Sequence, residues 1–372
     1  MLDVLVVDDS AVVREVMSLL LSPHRGFRVA TASDPLIAMD KIRRSRPDVI
    51  VLDLEMPRMD GLTFLRHVMA FEEPIPVVVC SGLAQSGTEA ALRALEEGAI
   101  EVIAKPQLGV RGFLEESATS LAEVVRGAAR ARVRRRRSAG EWPGAANGAL
   151  VPLPRSIAPS TTTDKVVVIG ASTGGTEALR VVLDAMPPDA PGIVVVQHMP
   201  AGFTTAFARR LNEVCRIEVT EAVDGHRVTE GRALIAPGNR HTEVERSGAH
   251  YIVRVSDGPA VSRHRPSVDV LFRSAARSAG RNATGVIMTG MGSDGAEGLL
   301  ELRGAGGATI AQDEATCIVF GMPGAAVARG AVEDVVPLDS IAAAILSRTA
   351  GRAAARSIKR DGAAAPPTRA GS

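Results

Sequence analysis

The chain has 372 residues, 46% hydrophobic and 23% charged, with a formal net charge of +1. That length exceeds one ordinary core and predicts two or three domains, while the composition is that of a soluble globular protein with no overall bias toward nucleic acid or membrane. One tryptophan and one tyrosine leave no aromatic platform for stacking bases, and Cys80, Cys215 and Cys317 are too scattered for zinc or a disulfide framework, which fits a reducing cytosol.

The opening Met1-Leu-Asp-Val-Leu-Val-Val-Asp-Asp has no basic leader, and acids interrupt its apolar run. It predicts a strand, not a signal peptide. No apolar run approaches the ~18 residues of a membrane span. From residue 1 to about 122, apolar runs at Leu2–Val7, Phe27–Ala30, Val49–Leu52, Val77–Cys80 and Glu101–Ile103 predict strands. Amphipathic stretches at Ala11–Leu21, Pro35–Arg44, Gly61–Phe71, Thr88–Gly98 and Gly112–Arg126 predict helices. Regular alternation of this kind implies a parallel, doubly wound α/β sheet, whose functional groups gather at the carboxyl ends of the strands.

Those ends carry Asp8 and Asp9, Asp53, Ser81, and Lys105-Pro106. Converging carboxylates repel unless a cation is present, and hard oxygen ligands suit Mg²⁺, which also takes phosphate oxygens. Lys105 and Ser81 add a charge and a hydroxyl for phosphoryl oxygens, leaving Asp53 as an acceptor of a phosphoryl group. Asp9 and Ser10 also suit the plainer task of capping the first helix.

Residues 1–122 resemble a two-component response-regulator receiver domain of flavodoxin-like (βα)5 fold, through Val7-Asp-Asp-Ser10, Leu52-Asp-Leu-Glu-Met-Pro-Arg-Met-Asp-Gly61, Cys80-Ser81 and Ala104-Lys-Pro106. The resemblance implies phosphorylation of Asp53 by a histidine kinase, with Asp8, Asp9, Asp53 and the Glu55 carbonyl around Mg²⁺. Such domains usually have an aromatic switch residue three positions before the lysine, where this chain has Val102.

Residues 123–163 read as a linker: six of the eight residues from Arg130 to Arg137 are arginine, followed by a stretch rich in Gly, Ala, Pro, Ser and Thr. The arginines read as a solvated run that docks on an acidic partner. Residues 164–350 form a second unit, and 351–372 a disordered tail. The second unit's predicted strands are Lys165–Ile169, Gly192–Gln197, Arg216–Thr220, Arg232–Ala236, Tyr251–Ser256, Gly285–Thr289 and Ala308–Ala311. Predicted helices are Thr176–Met186, Thr204–Glu213, Val268–Ala279, Ala296–Gly304 and Leu338–Arg348. The pattern predicts a mostly parallel sheet with a hairpin-like interruption near residues 232–256.

The first strand of this unit breaks into Gly170-Ala-Ser-Thr-Gly-Gly175, a G-x-S-x-G spacing between strand and helix. That context lifts the Ser172 hydroxyl to the sheet edge as a nucleophile, or makes a phosphate cradle. A serine nucleophile needs a base. His198 ends the next strand and in a right-handed crossover lies beside Ser172. His24 and His67 belong to the first unit, and His226, His241, His250 and His264 read as solvated or hydrogen-bonded structural residues. The strand Gly285–Thr289 runs into a second glycine turn, Gly290-Met-Gly-Ser-Asp-Gly295, which brings Asp294 to the same edge and offers amides near Thr173 or Met291 to an oxyanion. Asp294 alternatively caps the helix from Ala296. The order Ser172, His198, Asp294 is not that of an α/β-hydrolase.

Residues 164–348 resemble the catalytic domain of the chemotaxis protein-glutamate methylesterase/glutamine deamidase, through Ile169-Gly-Ala-Ser-Thr-Gly-Gly175, Gln197-His-Met199, Ala236-Pro-Gly-Asn-Arg-His241, Arg265-Pro-Ser-Val-Asp-Val-Leu-Phe272, Thr289-Gly-Met-Gly-Ser-Asp294 and Ala311–Pro323. The resemblance implies a cytoplasmic hydrolase of glutamate γ-methyl esters on methyl-accepting chemoreceptors, which also deamidates receptor glutamines, uses no cofactor for the ester chemistry and inserts in no membrane. An unphosphorylated receiver that covers the active edge is the expected regulation. A DNA-binding output draws support only from the arginine run, and a nucleotide site lacks the G-K-[ST] ending of a phosphate loop.

Overall fold

The computed structural model describes residues 1–21, 26–56, 59–82, 84–105, 121–131 and 165–349. Pro57, Arg58, Pro106, the predicted helical residues 112–120, most of the arginine run, the rest of the linker, the tail and His24 lie outside the described residues.

The first unit is a five-stranded parallel sheet in the order β2-β1-β3-β4-β5. The strands are β1 (Leu2–Val7), β2 (Phe27–Ala32), β3 (Val49–Asp53), β4 (Val77–Ser81) and β5 (Glu101–Ala104). β3 and β4 are buried along their whole length, so their continuous apolar sequences are those of strands covered on both faces. The helices are α1 (Ala11–Leu20), α2 (Pro35–Arg44), α3 (Gly61–Met69), α4 (Gln85–Glu96) and the described part of α5, residues 121–129. Three starts are side-chain caps: Ser10, Asp34 and Asp60 each accept the amide of the residue three positions on. Helical residues in α5 continue past residue 122.

The second unit is a seven-stranded sheet, β15-β14-β13-β6-β7-β10-β8, with every pairing parallel. Its strands are β6 (Val166–Ala171), β7 (Gly192–Gln197), β8 (Glu218–Glu221), β10 (Arg232–Ile235), β13 (Ala283–Ile287), β14 (Ala308–Gln312) and β15 (Asp334–Val336). Its helices are α6 (Gly175–Asp184), α7 (Phe203–Val214), α8 (Val268–Ser278), α9 (Ala296–Gly304), α10 (Met322–Ala328) and α11 (Ile341–Thr349). A separate antiparallel sheet joins β9 (Arg227–Val228), β11 (His241–Ser247) and β12 (His250–Ser256) in the order β11-β12-β9.

The expected interruption near residues 232–256 is therefore placed differently. Arg232–Ile235 is a strand of the main sheet, and the antiparallel insertion is built from β9, β11 and β12. In β11 Thr242 and Val244 are buried, while Glu245 faces solvent and Glu243 is half-exposed. Such one-sided alternation marks a sheet with one wet face. β15 and α10 have no counterpart among the predicted elements: one is a half-exposed three-residue edge, the other a seven-residue helix.

The two units share an apolar core. Leu92 and Leu95 of α4 belong to the same buried cluster as Leu179, Phe207 and Leu211 of α6 and α7. Ion pairs rim this contact: Glu89 with Arg209 at 2.9 Å, Glu96 with Arg210 at 2.7 Å, and Glu123 with Arg263. In each, the acid comes from the first unit and the arginine from the second.

Candidate functional site

β6, β7 and β13 are adjacent in the second sheet, and their carboxyl ends deliver Ser172, His198 and the glycine turn before Asp294 to one edge. The His198 amide donates to the Ala171 carbonyl at 3.2 Å, and the Ser172 amide to the Thr289 carbonyl at 3.0 Å, tying the three strand ends together. The Gln197 side-chain amide donates to the Ser172 carbonyl at 3.0 Å. The turn after Ser172 needs glycine: Gly174 has φ +76° and precedes the first residue of α6. Close approach at the facing turn needs it too, because a Cβ at Gly290 would stand 2.7 Å from the Ser172 Cβ.

His198 Nε2 lies 2.9 Å from Asp294 Oδ2. Burial alone would raise the Asp294 carboxyl, but hydrogen bonds from His198, Val268 and Ser267 and attraction to His198 bring it down to about 2. An ionised carboxylate only accepts, so Nε2 carries the proton and Nδ1 of the neutral ring keeps its lone pair. Nδ1 is buried with no hydrogen-bond partner among the described residues.

Asp294 does not cap α9, whose start at Gly295 has no side-chain cap. Its carboxylate instead sits on the first turn of α8, where Oδ2 accepts the Val268 amide at 2.7 Å and Oδ1 accepts the Asp269 amide at 3.1 Å and the Ser267 hydroxyl at 2.8 Å. A helix N-terminus stabilises an anion through these free amides and the helix dipole. The Arg265–Phe272 stretch thus serves the site by holding its carboxylate, a task no local pattern announces.

Thr173 is buried, Met291 is half-buried, and neither backbone amide has an acceptor among the described residues. His241 is structural, with Nε2 2.8 Å from the Pro259 carbonyl and Nδ1 accepting the Ser267 amide at 3.3 Å. Asp224 accepts the Val255 amide at 3.0 Å and pairs with Arg254. His264, expected as a solvated or hydrogen-bonded structural residue, has its ring stacked on that of His198.

The first unit closes over this edge. Ile100 accepts the Gly174 amide at 3.2 Å, Glu101 of β5 accepts a hydrogen bond from the Thr173 hydroxyl, and Gly127 of α5 lies against Met291, with a Cβ there only 2.8 Å from the Met291 sulfur. Ser172 is left 7% exposed.

At the first unit's own edge, Asp8, Asp9 and Asp53 bring carboxylate oxygens within 4.8 Å of one another. Lys105 Nζ is 2.7 Å from Asp53 Oδ2 and 3.6 Å from Asp8 Oδ2. Burial, opposed in part by Lys105 and backbone amides, pushes Asp8 and Asp53 above the usual carboxylate range. Asp8 Oδ2 is buried without a hydrogen-bond donor, and this orphaned hard oxygen beside two more carboxylates fits a divalent cation. The Glu55 amide donates to Asp53 Oδ1 at 3.2 Å. Ser81 donates to the Gly87 carbonyl of α4 at 2.9 Å, so its hydroxyl is engaged with α4 rather than with Asp53. Val102 pairs with Val79 across the sheet and is 3% exposed.

Family models match both units: the response regulator receiver domain over residues 4–111 and the CheB methylesterase over residues 167–345. Together with the fold they define a response regulator whose output unit is an esterase. Protein-glutamate methylesterase/protein-glutamine glutaminase 1 of Anaeromyxobacter dehalogenans (strain 2CP-C) is 62% identical, over 92% of this chain and 98% of its own. Number 3 of Geobacter metallireducens (strain ATCC 53774 / DSM 7210 / GS-15) is 59% identical, over 92% of this chain and 98% of its own. The solved catalytic domain of Thermotoga maritima CheB methylesterase is 38% identical over 49% of this chain and 97% of that one, with a TM-score of 0.48. The chain belongs to the protein-glutamate methylesterase/protein-glutamine glutaminase family, and its class is that of the hydrolases. That assignment replaces the DNA-binding and nucleotide-cradle alternatives.

Proposed function

We propose that the second unit hydrolyses glutamate γ-methyl esters on methyl-accepting chemoreceptors, releasing methanol, and deamidates receptor glutamines by the same route. The observation that carries this reading is the buried His198–Asp294 pair, with Nδ1 left unpartnered at the edge that bears Ser172. Ser172 attacks the γ-carbonyl as His198 Nδ1 takes its proton, and Asp294 holds the ring in its Nε2-protonated form. The two ring nitrogens thus exchange the duties they have in the serine-protease arrangement. The free amides of Thr173 and Met291 suit the oxyanion. His198 then protonates the departing methanol, or ammonia from a glutamine, and water activated by the same nitrogen cleaves the acyl-enzyme.

The first unit is the control element. A histidine kinase of a chemotaxis-type system is the phosphodonor, Asp53 the acceptor, and Asp8, Asp9, Asp53 and the Glu55 carbonyl the holders of Mg²⁺, which supplies charge neutralisation for the phosphoryl group. Lys105 pairs with phosphoryl oxygen. Ser81 turning from Gly87 toward the phosphoryl group loosens α4, the helix packed on α6 and α7. The closed contact at Thr173, Gly174 and Met291 supports an unphosphorylated state that blocks Ser172.

No helix among the described residues is long and apolar enough to cross a membrane. With the free thiols of Cys80, Cys215 and Cys317, a cytosolic protein acting on the cytoplasmic part of its receptor is the consistent reading. The direct test is methanol release from methylated receptor: Ser172→Ala reduces it to background, whereas near-parental release by that variant excludes the nucleophile.

A further inference from the structure

His198 has a neighbour to which the proposed reaction assigns no task. The His264 ring lies face to face with it, centroids 3.8 Å apart and planes 9° from parallel. His264 arrives from a tight turn in which the Val261 amide donates to the His264 carbonyl at 3.1 Å and the His264 amide donates back at 2.9 Å. Between them Ser262 and Arg263 have φ of +51° and +67°, a left-handed conformation that disfavours any residue but glycine. A strained turn persists where its surroundings over-determine it, and such turns cluster at functional sites.

Here the surroundings do so from several sides. The Ser262 hydroxyl donates to Asp269 Oδ2 at 3.1 Å, and the Arg265 guanidinium reaches Asn239 Oδ1 at 2.7 Å and the Gly258 carbonyl at 2.8 Å. Arg263 pairs with Glu123 of α5. The turn is thereby anchored to α8, to the β10–β11 connection and to the first unit.

The hydrogen bond to Asp294 fixes one corner of the His198 ring but not its plane, because the terminal torsion of histidine is broad. A flat partner against one face removes that freedom. The partner must also tolerate the imidazolium that forms when His198 takes the serine proton. Burial pushes the His264 imidazole down to about 3, with His198 and Arg263 acting in the same sense and Asp294 opposing them. His264 is therefore neutral at neutral pH and meets the imidazolium with an uncharged aromatic face, which attracts a cation. The charged and titratable groups around the pair are Asp294 from the glycine turn and Arg263 from the His264 turn, itself paired with Glu123.

We infer that His264 is a positioning residue for acyl transfer: its stacked ring holds the His198 imidazole in the plane that presents Nδ1 toward Ser172. The inference rests on the Ser172–His198–Asp294 reading above. Its signature is a loss in kcat that a flat apolar ring restores.

The test uses the full chain with saturating phosphodonor and methylated receptor, comparing His264→Ala and His264→Phe with the parent and with Ser172→Ala. His264→Ala is expected to lose tenfold or more in kcat with KM within twofold, and His264→Phe to stay within threefold of the parent. A His264→Ala variant with parental kcat overturns the inference, as does a His264→Phe variant as slow as His264→Ala. Activity remaining in Ser172→Ala would instead strike the nucleophile reading, so the two failures are distinct. Should His264→Ala not fold, His264→Leu decides the matter, because it fills the space without a flat face: a kcat tenfold or more below that of His264→Phe supports the stack, and a kcat equal to that of His264→Phe overturns it.

Discussion

The Glu101 carboxyl of β5 is buried against the Thr173 hydroxyl, one residue beyond Ser172. Burial drives it up to about 8 from an ordinary 4.5, against the opposing pull of the Thr173 hydroxyl and the Val102 amide. A carboxyl with a higher value in the closed form binds a proton on closing. Its contribution to closure is therefore full below the ordinary carboxylate range and is lost as pH rises through about 8. The unphosphorylated rate, expressed relative to the phosphorylated rate at each pH, is expected to rise between neutral and mildly alkaline pH. Glu101→Gln, which keeps a neutral partner for Thr173, should flatten that rise; an equal rise in both proteins contradicts the assignment.

Asp294→Asn keeps the size of the side chain and removes the charge that holds His198 Nε2–H. A fall in kcat of about 10³–10⁴-fold is expected, with KM little changed. Thermal stability should also drop, since Asp294 anchors the first turn of α8 through the Val268 and Asp269 amides. Steady-state kinetics and melting curves on the same preparation separate the two effects.

At Gly290 an added methyl would meet the Met322 sulfur at 2.4 Å and the Ser172 Cβ at 2.7 Å. Gly290→Ala should cost about 1–3 kcal/mol of stability by overpacking. It should also lower kcat about tenfold or more, because the displaced atom belongs to Ser172 and small misplacements of a reacting group are costly. Denaturant unfolding checks the first quantity and methanol release the second.

Arg210 and Glu96 form a half-exposed ion pair across the two units at 2.7 Å. Such a pair is worth about 0–1 kcal/mol, so its loss in Arg210→Glu should raise the unphosphorylated rate by no more than about fivefold. Adding Glu96→Arg should restore the parental rate if the charges act on each other. Failure of the double variant to restore it would assign the effect to α7 itself.

Chelation of Mg²⁺ should abolish stimulation by a small phosphodonor and leave the basal rate of ester hydrolysis unaltered. A basal rate that falls with chelation would place a metal in the ester chemistry. Asp8→Asn, which relieves the repulsion around Asp53 but removes a hard ligand, is expected to behave as the chelated parent does.

Much of this architecture was legible because buried parallel strands are written as continuous apolar runs. β1 and β7 match their predicted spans, and the ends of β3, β4, β6 and β13 shift by a few residues at most. The edge residues Asp8, Asp53, Lys105, Ser172 and His198 follow from strand ends alone. Asp294 was ambiguous for a physical reason: an aspartate two residues before a helix suits both a cap and a site acid. Only the approach of α8, which is distant in sequence, resolves where its carboxylate goes. His264 left no signal, because Ser262 and Arg263 adopt a left-handed turn without glycine and the stacking partner is reached only through the fold. β11 was missed because charged residues break its apolar run, and its one-sided alternation was too short to stand out beside the parallel strands.

Methanol release from methylated receptor by the full chain, with and without a phosphodonor, distinguishes the parent from Ser172→Ala and Asp53→Asn. A phospho-switched serine esterase predicts strong stimulation in the parent, background release by Ser172→Ala in both conditions, and an unstimulated basal rate in Asp53→Asn. Release by Ser172→Ala near the parental rate, or full stimulation of Asp53→Asn, would contradict it.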